Sequence, residues 1–134
     1  MHNWKSRKAV MVKVLVVDDS AMVLEMVSAH LKQNGIEVLE AHDGSEAVEQ
    51  LKTVTPDLVV TDVVMPKMNG YELCRWIKNN ASTKDVPVIM CTTKSEEFDK
   101  YWGMKQGADA YLTKPYHPPE LIKTIKQLLS QINK

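Results

Sequence analysis

Residues 14–20 read Val-Leu-Val-Val-Asp-Asp-Ser, "VLVVDDS". Apolar side chains run unbroken into two adjacent acids. A run that is apolar on both alternations marks a strand covered on both faces, as in a parallel sheet. The acids at its end set like charges side by side, which costs energy unless something neutralises them. Reading outward from Val12–Val17, four more such runs appear: Ile36–Ala41, Leu58–Thr61, Val86–Cys91 and Ala110–Leu112. In chain order they are the expected strands β1 to β5.

Helix signals fill the gaps. Ser20 can N-cap a helix in which Val23, Met26, Val27, His30 and Leu31 share a face, and Gly35 ends it. Asp43-Gly44 opens a second, with Ala47, Val48 and Leu51 inward. Asn69-Gly70 opens a third carrying Leu73, Cys74 and Ile77. Ser95, followed by Glu96 and Glu97, opens a fourth, where acids suit the positive helix end. The last follows His117-Pro118-Pro119, since proline is tolerated in a first turn. There Leu121, Ile125, Leu128 and Ile132 form an amphipathic stripe. Strands alternating with helices predict an α/β fold with helices on both faces of one parallel sheet. The expectation is a flavodoxin-like (βα)5 three-layer sandwich, strand order 2-1-3-4-5. Its crevice lies beyond the carboxyl ends of the strands, where the winding reverses between β1 and β3.

The totals set bounds. The chain has 134 residues, the length of one domain. We expect a flexible N-terminal tail over 1–11 and a single domain over 12–134. Lys plus Arg and Asp plus Glu are 17 each, so net charge gives no argument for nucleic acid or an anionic membrane. "MHNWKSRKAV" at the start lacks the apolar core of a signal peptide. Its Lys5, Arg7 and Lys8 could touch an anionic partner, but such a segment is more often a frayed tail. Cys74 and Cys91 make no Cys-x-x-Cys pair and read as buried, reduced thiols, which suits the cytoplasm. His2, His30, His42 and His117 are scattered and suggest no metal site. Phe98, Tyr101 and Trp102 are either partner contacts or, for two of them, packing on the sheet.

Strand ends carry the chemistry. β1 ends in Asp18 and Asp19, β3 in Asp62, β4 in Thr92 and β5 in Thr113-Lys114-Pro115. In this topology all face one crevice. Clustered carboxylates repel, and a divalent cation removes the conflict. The ligands on offer are all oxygens, which indicates a hard ion, and an open crevice suits Mg²⁺. A carboxylate beside Mg²⁺ can attack phosphorus and become an aspartyl phosphate. Asp62, single and on the central strand, is the best nucleophile. Lys114 would neutralise the other side of the transferring group, and Thr92 could donate to a phosphoryl oxygen. Each residue alone has a plainer reading: an Asp after a strand is usually a turn or cap.

Together, "VLVVDDS", "DLVVTDVVMPKMNGYEL", "VPVIMCTT" and "ADAYLTKPY" resemble the bacterial response-regulator receiver domain, over about residues 12–132. The resemblance implies a phosphorelay protein of a two-component system, phosphorylated on Asp62 by a sensor histidine kinase. It implies Mg²⁺ held by Asp19 and Asp62, by Asp18 through water, and by the main-chain carbonyl of Val64. It gives Lys114 a phosphoryl contact, a cis Lys114–Pro115 bond, and switch roles to Thr92 and Tyr111. The face from about Ser95 to Ile132 (α4–β5–α5) would then change its preference for a downstream motility or signalling protein. The "YWGMKQGADAYLTKPY" segment is most similar to single-domain, chemotaxis-regulator-like receivers of pilus-type twitching or phototaxis systems. Such a chain is a phosphoacceptor, not an enzyme acting on external substrates, and is expected to be a cytoplasmic monomer without nucleic-acid or membrane partners. With no output domain after residue 134, output would be protein binding.

Departures and rivals remain. Val64, Thr93 and Lys94 differ from the best-known pattern along the route of an attacking water. An alternative role is a phosphate sink or shuttle for a shared kinase. A flavodoxin-like cofactor binder would want Ser, Thr or Gly after β1 to cradle phosphate. A dehalogenase-type phosphatase needs an acid two residues after its nucleophile, where Val64 stands. A DNA-binding regulator would show a helix-turn-helix or a basic face.

Overall fold

In the computed structural model, residues 11–93 and 97–132 are described, the side chains of 97, 98 and 132 excepted. The expected tail, up to residue 10, lies outside them. So do Lys94, Ser95 and Glu96, and the side chains of Phe98 and Ile132. The elements alternate: β1 Lys13–Val17, α1 Ala21–Gln33, β2 Glu37–Ala41, α2 Gly44–Leu51, β3 Leu58–Thr61, α3 Gly70–Lys78, β4 Val88–Thr92, α4 Glu97–Lys105, β5 Ala110–Thr113 and α5 Pro118–Ile132. The strands form one sheet in the order β2-β1-β3-β4-β5, and every neighbouring pair is parallel.

Local chemistry accounts for the helix starts. The Ser20 side chain accepts from the Val23 amide, and Asp43 accepts from the Glu46 amide. Asn69 and Glu72 form a reciprocal capping box at α3. Gly35, at φ 77°, follows the end of α1. β4 begins two residues later than its apolar run, after Pro87, which has no N–H for the ladder.

Period-two alternation divides the core between the two faces. Leu15, Val17, Val59, Val88 and Met90 meet Val48 and Leu51 of α2 and Leu73, Cys74 and Ile77 of α3. Val14, Val16, Leu58, Val60, Ile89 and Cys91 meet Leu24 and Leu31 of α1 and Leu121, Ile122 and Ile125 of α5. The central strands β1, β3 and β4 are almost wholly buried, while β2, at one edge, exposes Glu37 and Glu40, charges that discourage strand addition.

One packing expectation is corrected and one pair of alternatives narrowed. Met26 is 63% exposed, because the buried stripe of α1 is Leu24, Ser28 and Leu31, spaced four and three apart. Tyr101 and Trp102 are both exposed, which weighs against the alternative that two of the three aromatics pack on the sheet; α4 turns Gly103 toward Met90 and Tyr111. The cysteine reading stands: both are buried free thiols, and burial pushes Cys74 up to about 11 and Cys91 up to about 12. Neither forms the reactive thiolate at neutral pH.

Candidate functional site

The reversal of winding between β1 and β3 puts their ends side by side. The Asp18 amide donates to the Ala41 carbonyl of β2 at 3.1 Å, and the Asp62 amide to the Val17 carbonyl of β1 at 3.0 Å. These bonds extend the ladders one residue past the strands and seat both acids at the rim. Asp18 is only 4% exposed, yet both carboxylate oxygens are used. Oδ1 accepts from the Ser20 amide at 2.9 Å, and Oδ2 from Lys114 Nζ at 2.9 Å. Asp62 Oδ1 accepts from the Val63 amide at 2.7 Å, and its Oδ2 lies 3.6 Å from Lys114 Nζ. Asp19 is exposed beside them. One oxygen from each of Asp18, Asp19 and Asp62 can be chosen so that all lie within 4.8 Å of one another.

β5 delivers the counter-charge. The Lys114 amide donates to the Thr92 carbonyl at 2.7 Å, and the Lys114–Pro115 peptide is cis. Burial pushes the Lys114 ammonium down, but Asp18 and Asp62 outweigh it and hold the group above its ordinary 10.5. Thr92 is fully buried at the end of β4, two residues beyond Met90, which pairs with Thr61. Tyr111 is half-buried on β5, in register with Met90. The Val64 side chain is 56% exposed and offers no hydrogen-bonding group to the crevice.

The converging donors are all oxygens, and Lys114 offsets only part of three carboxylate charges. That donor set and residual charge fit a hard divalent cation. With Asp18 tied to Lys114 and Ser20, the less committed oxygens belong to Asp19 and Asp62.

Three features of the site were not read from the sequence. Gly70 does more than open α3: a Cβ there would lie 2.1 Å from the Asp62 carbonyl oxygen, and its amide donates to the Val63 carbonyl at 2.8 Å. Lys67 adopts φ 69° in the loop between β3 and α3. Ser20 both caps α1 and orients Asp18. The Pro66…Asn69-Gly70 turn signals mark the loop, but not the backbone it would approach.

A model of the response regulator receiver domain matches residues 14–126. PilH of Pseudomonas aeruginosa is 42% identical over 120 residues, covering 90% of this chain and 99% of that protein. The phosphate regulon transcriptional regulatory protein PhoB of Klebsiella pneumoniae is 41% identical over 90% of this chain; the chain spans 53% of that regulator's length. Among solved structures, the chemotaxis protein CheY4 of Vibrio cholerae superposes with TM-score 0.85 at 37% identity, covering 89% of this chain and 99% of that one. The receiver domain of sensor histidine kinase PA1611 from Pseudomonas aeruginosa, solved with a magnesium ion in its active-site cleft, superposes with TM-score 0.84 at 25% identity over 90% of this chain and 99% of that one. With the acid cluster, the lysine and the sheet order all in place, the chain belongs to the response regulator receiver domain family.

Proposed function

We propose that this chain is a phosphoacceptor switch in which Asp62 takes a phosphoryl group from a phosphohistidine of a sensor kinase. The observation that carries it is Lys114 Nζ, set 2.9 Å from Asp18 and 3.6 Å from Asp62 at the rim of adjacent strands. The N–P bond of the donor breaks, an O–P bond to an Asp62 carboxylate oxygen forms, and the departing imidazole takes a proton from solvent. Asp19, Asp62 and the Val64 main-chain carbonyl would hold Mg²⁺, with Asp18 acting through water. Bound there, the ion supplies charge neutralisation to the phosphoryl oxygens. Lys114 supplies the rest from the opposite side. An apolar groove of about 440 Å³ beside Lys114, lined by Val23, Met26, Val27, Tyr116 and Leu121, offers ground for the helix that carries the donor.

Phosphorylation adds nearly two negative charges, and these bias the protein only through contacts that differ between its states. The Thr92 hydroxyl moves toward the phosphoryl group, Tyr111 turns further inward, and the α4–β5–α5 face changes partner preference. Residues 12–134 then act as one receiver unit, and the output is a chemosensory or motility protein of the kind served by chemotaxis and pilus-type receivers. This reading takes the chain as a cytoplasmic monomer; among the described residues no helix is long and apolar enough to cross a membrane. The sink role is separated by pull-down with and without beryllofluoride: a partner captured only with it supports the switch, and none supports the sink.

The test of the chemistry is treatment with a small phosphodonor and Mg²⁺, followed by mass spectrometry. Wild type should gain one phosphoryl group and Asp62→Ala none; equal gain in both would sink the assignment. A second expectation concerns lifetime. Val64 cannot orient an attacking water, so Val64→Asn should shorten the half-life of the acyl phosphate by about tenfold. Equal half-lives would remove the side chain at 64 from the hydrolytic route.

A further inference from the structure

The contacts made by Tyr71 have no role in the chemistry described so far. Tyr71 is the second residue of α3, directly after Gly70. Gly70 is held to the phosphoacceptor's own backbone, so close to the Asp62 carbonyl that no Cβ fits. The start of α3 therefore cannot shift independently of the Asp62 peptide. From that anchor the Tyr71 hydroxyl reaches α4, donating to the Asp99 carbonyl at 3.3 Å. That bond joins α3 to the first turn of α4. Packing reinforces it: Tyr71, Tyr111 and Met90 share one apolar cluster, and a Cβ on Gly103 of α4 would lie 3.1 Å from both the Tyr111 ring and Met90 Sδ.

We propose that Tyr71 is a positioning residue that relays the state of Asp62 to α4 and sets the position of Tyr111. This rests on Asp62 being the phosphoacceptor and adds a second path beside that of Thr92. A displacement of the Asp62 peptide moves Gly70, and with it the hydroxyl that donates to the Asp99 carbonyl and the ring that packs in one cluster with Tyr111. Neither contact can then stay as it was. Coupling of this kind is a differential interaction between two states, carried by groups with two discrete arrangements.

The experiment is amide hydrogen exchange across Tyr101–Lys105, with and without beryllofluoride and Mg²⁺, on wild type, Tyr71→Phe, Tyr111→Phe and the double variant. Wild type should show a change in exchange rate on adding the analogue. Tyr71→Phe keeps the ring and its packing, so it should still bind beryllofluoride, but the change in α4 should shrink by at least about threefold, the worth of one hydrogen bond. Tyr111→Phe keeps the packed ring and the Tyr71–Asp99 bond, so it should lose less of the change than Tyr71→Phe, and the double variant at least as much as Tyr71→Phe. A full α4 response in Tyr71→Phe overturns the relay, even if that variant melts at lower temperature. So does an unchanged α4 in wild type that has bound the analogue. If wild type binds no beryllofluoride at all, the phosphoacceptor assignment itself fails and takes the relay with it, a result distinct from the other two.

Discussion

Lys114→Ala should slow phosphoryl uptake by about 100- to 1,000-fold while tightening the binding of Mg²⁺. The two effects have opposite signs because the ammonium does two things. Toward a transferring phosphoryl group it would supply a donor where charge builds up. Toward a cation it is a competitor, holding Asp18 at 2.9 Å and Asp62 at 3.6 Å. Its removal also leaves Asp18, which is 4% exposed, without its positive partner. That should cost about 3 kcal/mol of stability in the absence of divalent ions. Mg²⁺ should restore more stability to the variant than it adds to wild type. Uptake followed with a small phosphodonor, and melting with and without Mg²⁺, measure all three quantities. A variant with wild-type uptake would remove Lys114 from the chemistry. Burial lowers the Lys114 pKa and its acidic neighbours raise it, with a net rise above 10.5. A raised group contributes its stability in full below the unfolded value and loses it as pH climbs through the folded one. The Lys114–Asp18 contribution should therefore stay constant through neutral and mildly alkaline pH.

Gly70→Ala should be the most destabilising small substitution in the chain, at about 3 kcal/mol. The added Cβ would sit 2.1 Å from the Asp62 carbonyl oxygen and 2.9 Å from the Val63 Cα, both of them backbone atoms that cannot rotate away. Relief requires the start of α3 to lift from the β3 end. The bond from the Gly70 amide to the Val63 carbonyl would go with it. Melting temperature should fall by roughly 10 °C. Because the displaced backbone is that of Asp62, phosphoryl uptake should fall too in the fraction that remains folded. A variant that melts with wild type would show that this approach is softer than its geometry implies. Ser45→Ala, at an exposed position on α2 one residue past Gly44, serves as a control with little expected effect.

Much of the fold is legible along the chain because parallel strands covered on both faces leave an unusual trace. The runs at Val14–Val17, Leu58–Thr61 and Val88–Thr92 are buried at every position, and no amphipathic pattern competes with them. The caps Ser20, Asp43 and Asn69 are equally local, since each satisfies an amide within three residues. α1 was harder. Its apolar residues outnumber the places against the sheet, so Met22 and Met26 face solvent and Leu24 takes the buried stripe. Composition cannot say which of several apolar faces meets the sheet.

The candidate site divides along the same line. Asp18, Asp19, Asp62, Thr92 and Lys114 end strands, so strand order alone predicts that they meet at one rim. What they do there depends on distances between residues far apart in sequence. Lys114 is 96 positions from Asp18 and is its direct ion partner. Tyr71 lies 28 positions from Asp99, and no feature of "NGYEL" marks it as anything but a helix residue.

The amino-acid order by itself determined which segments are strands and helices, and that acids cap the strands of one edge. Both follow from short-range rules, the alternation of side chains and the needs of unpaired amides. Only the packed molecule decided how tightly α3 is pressed on Asp62, which oxygens Lys114 occupies, and which carbonyl of α4 the Tyr71 hydroxyl reaches. Those outcomes depend on where two crossover helices settle on the sheet. Helix seating is set by the whole core at once, because close packing leaves each side chain no freedom that its neighbours do not share.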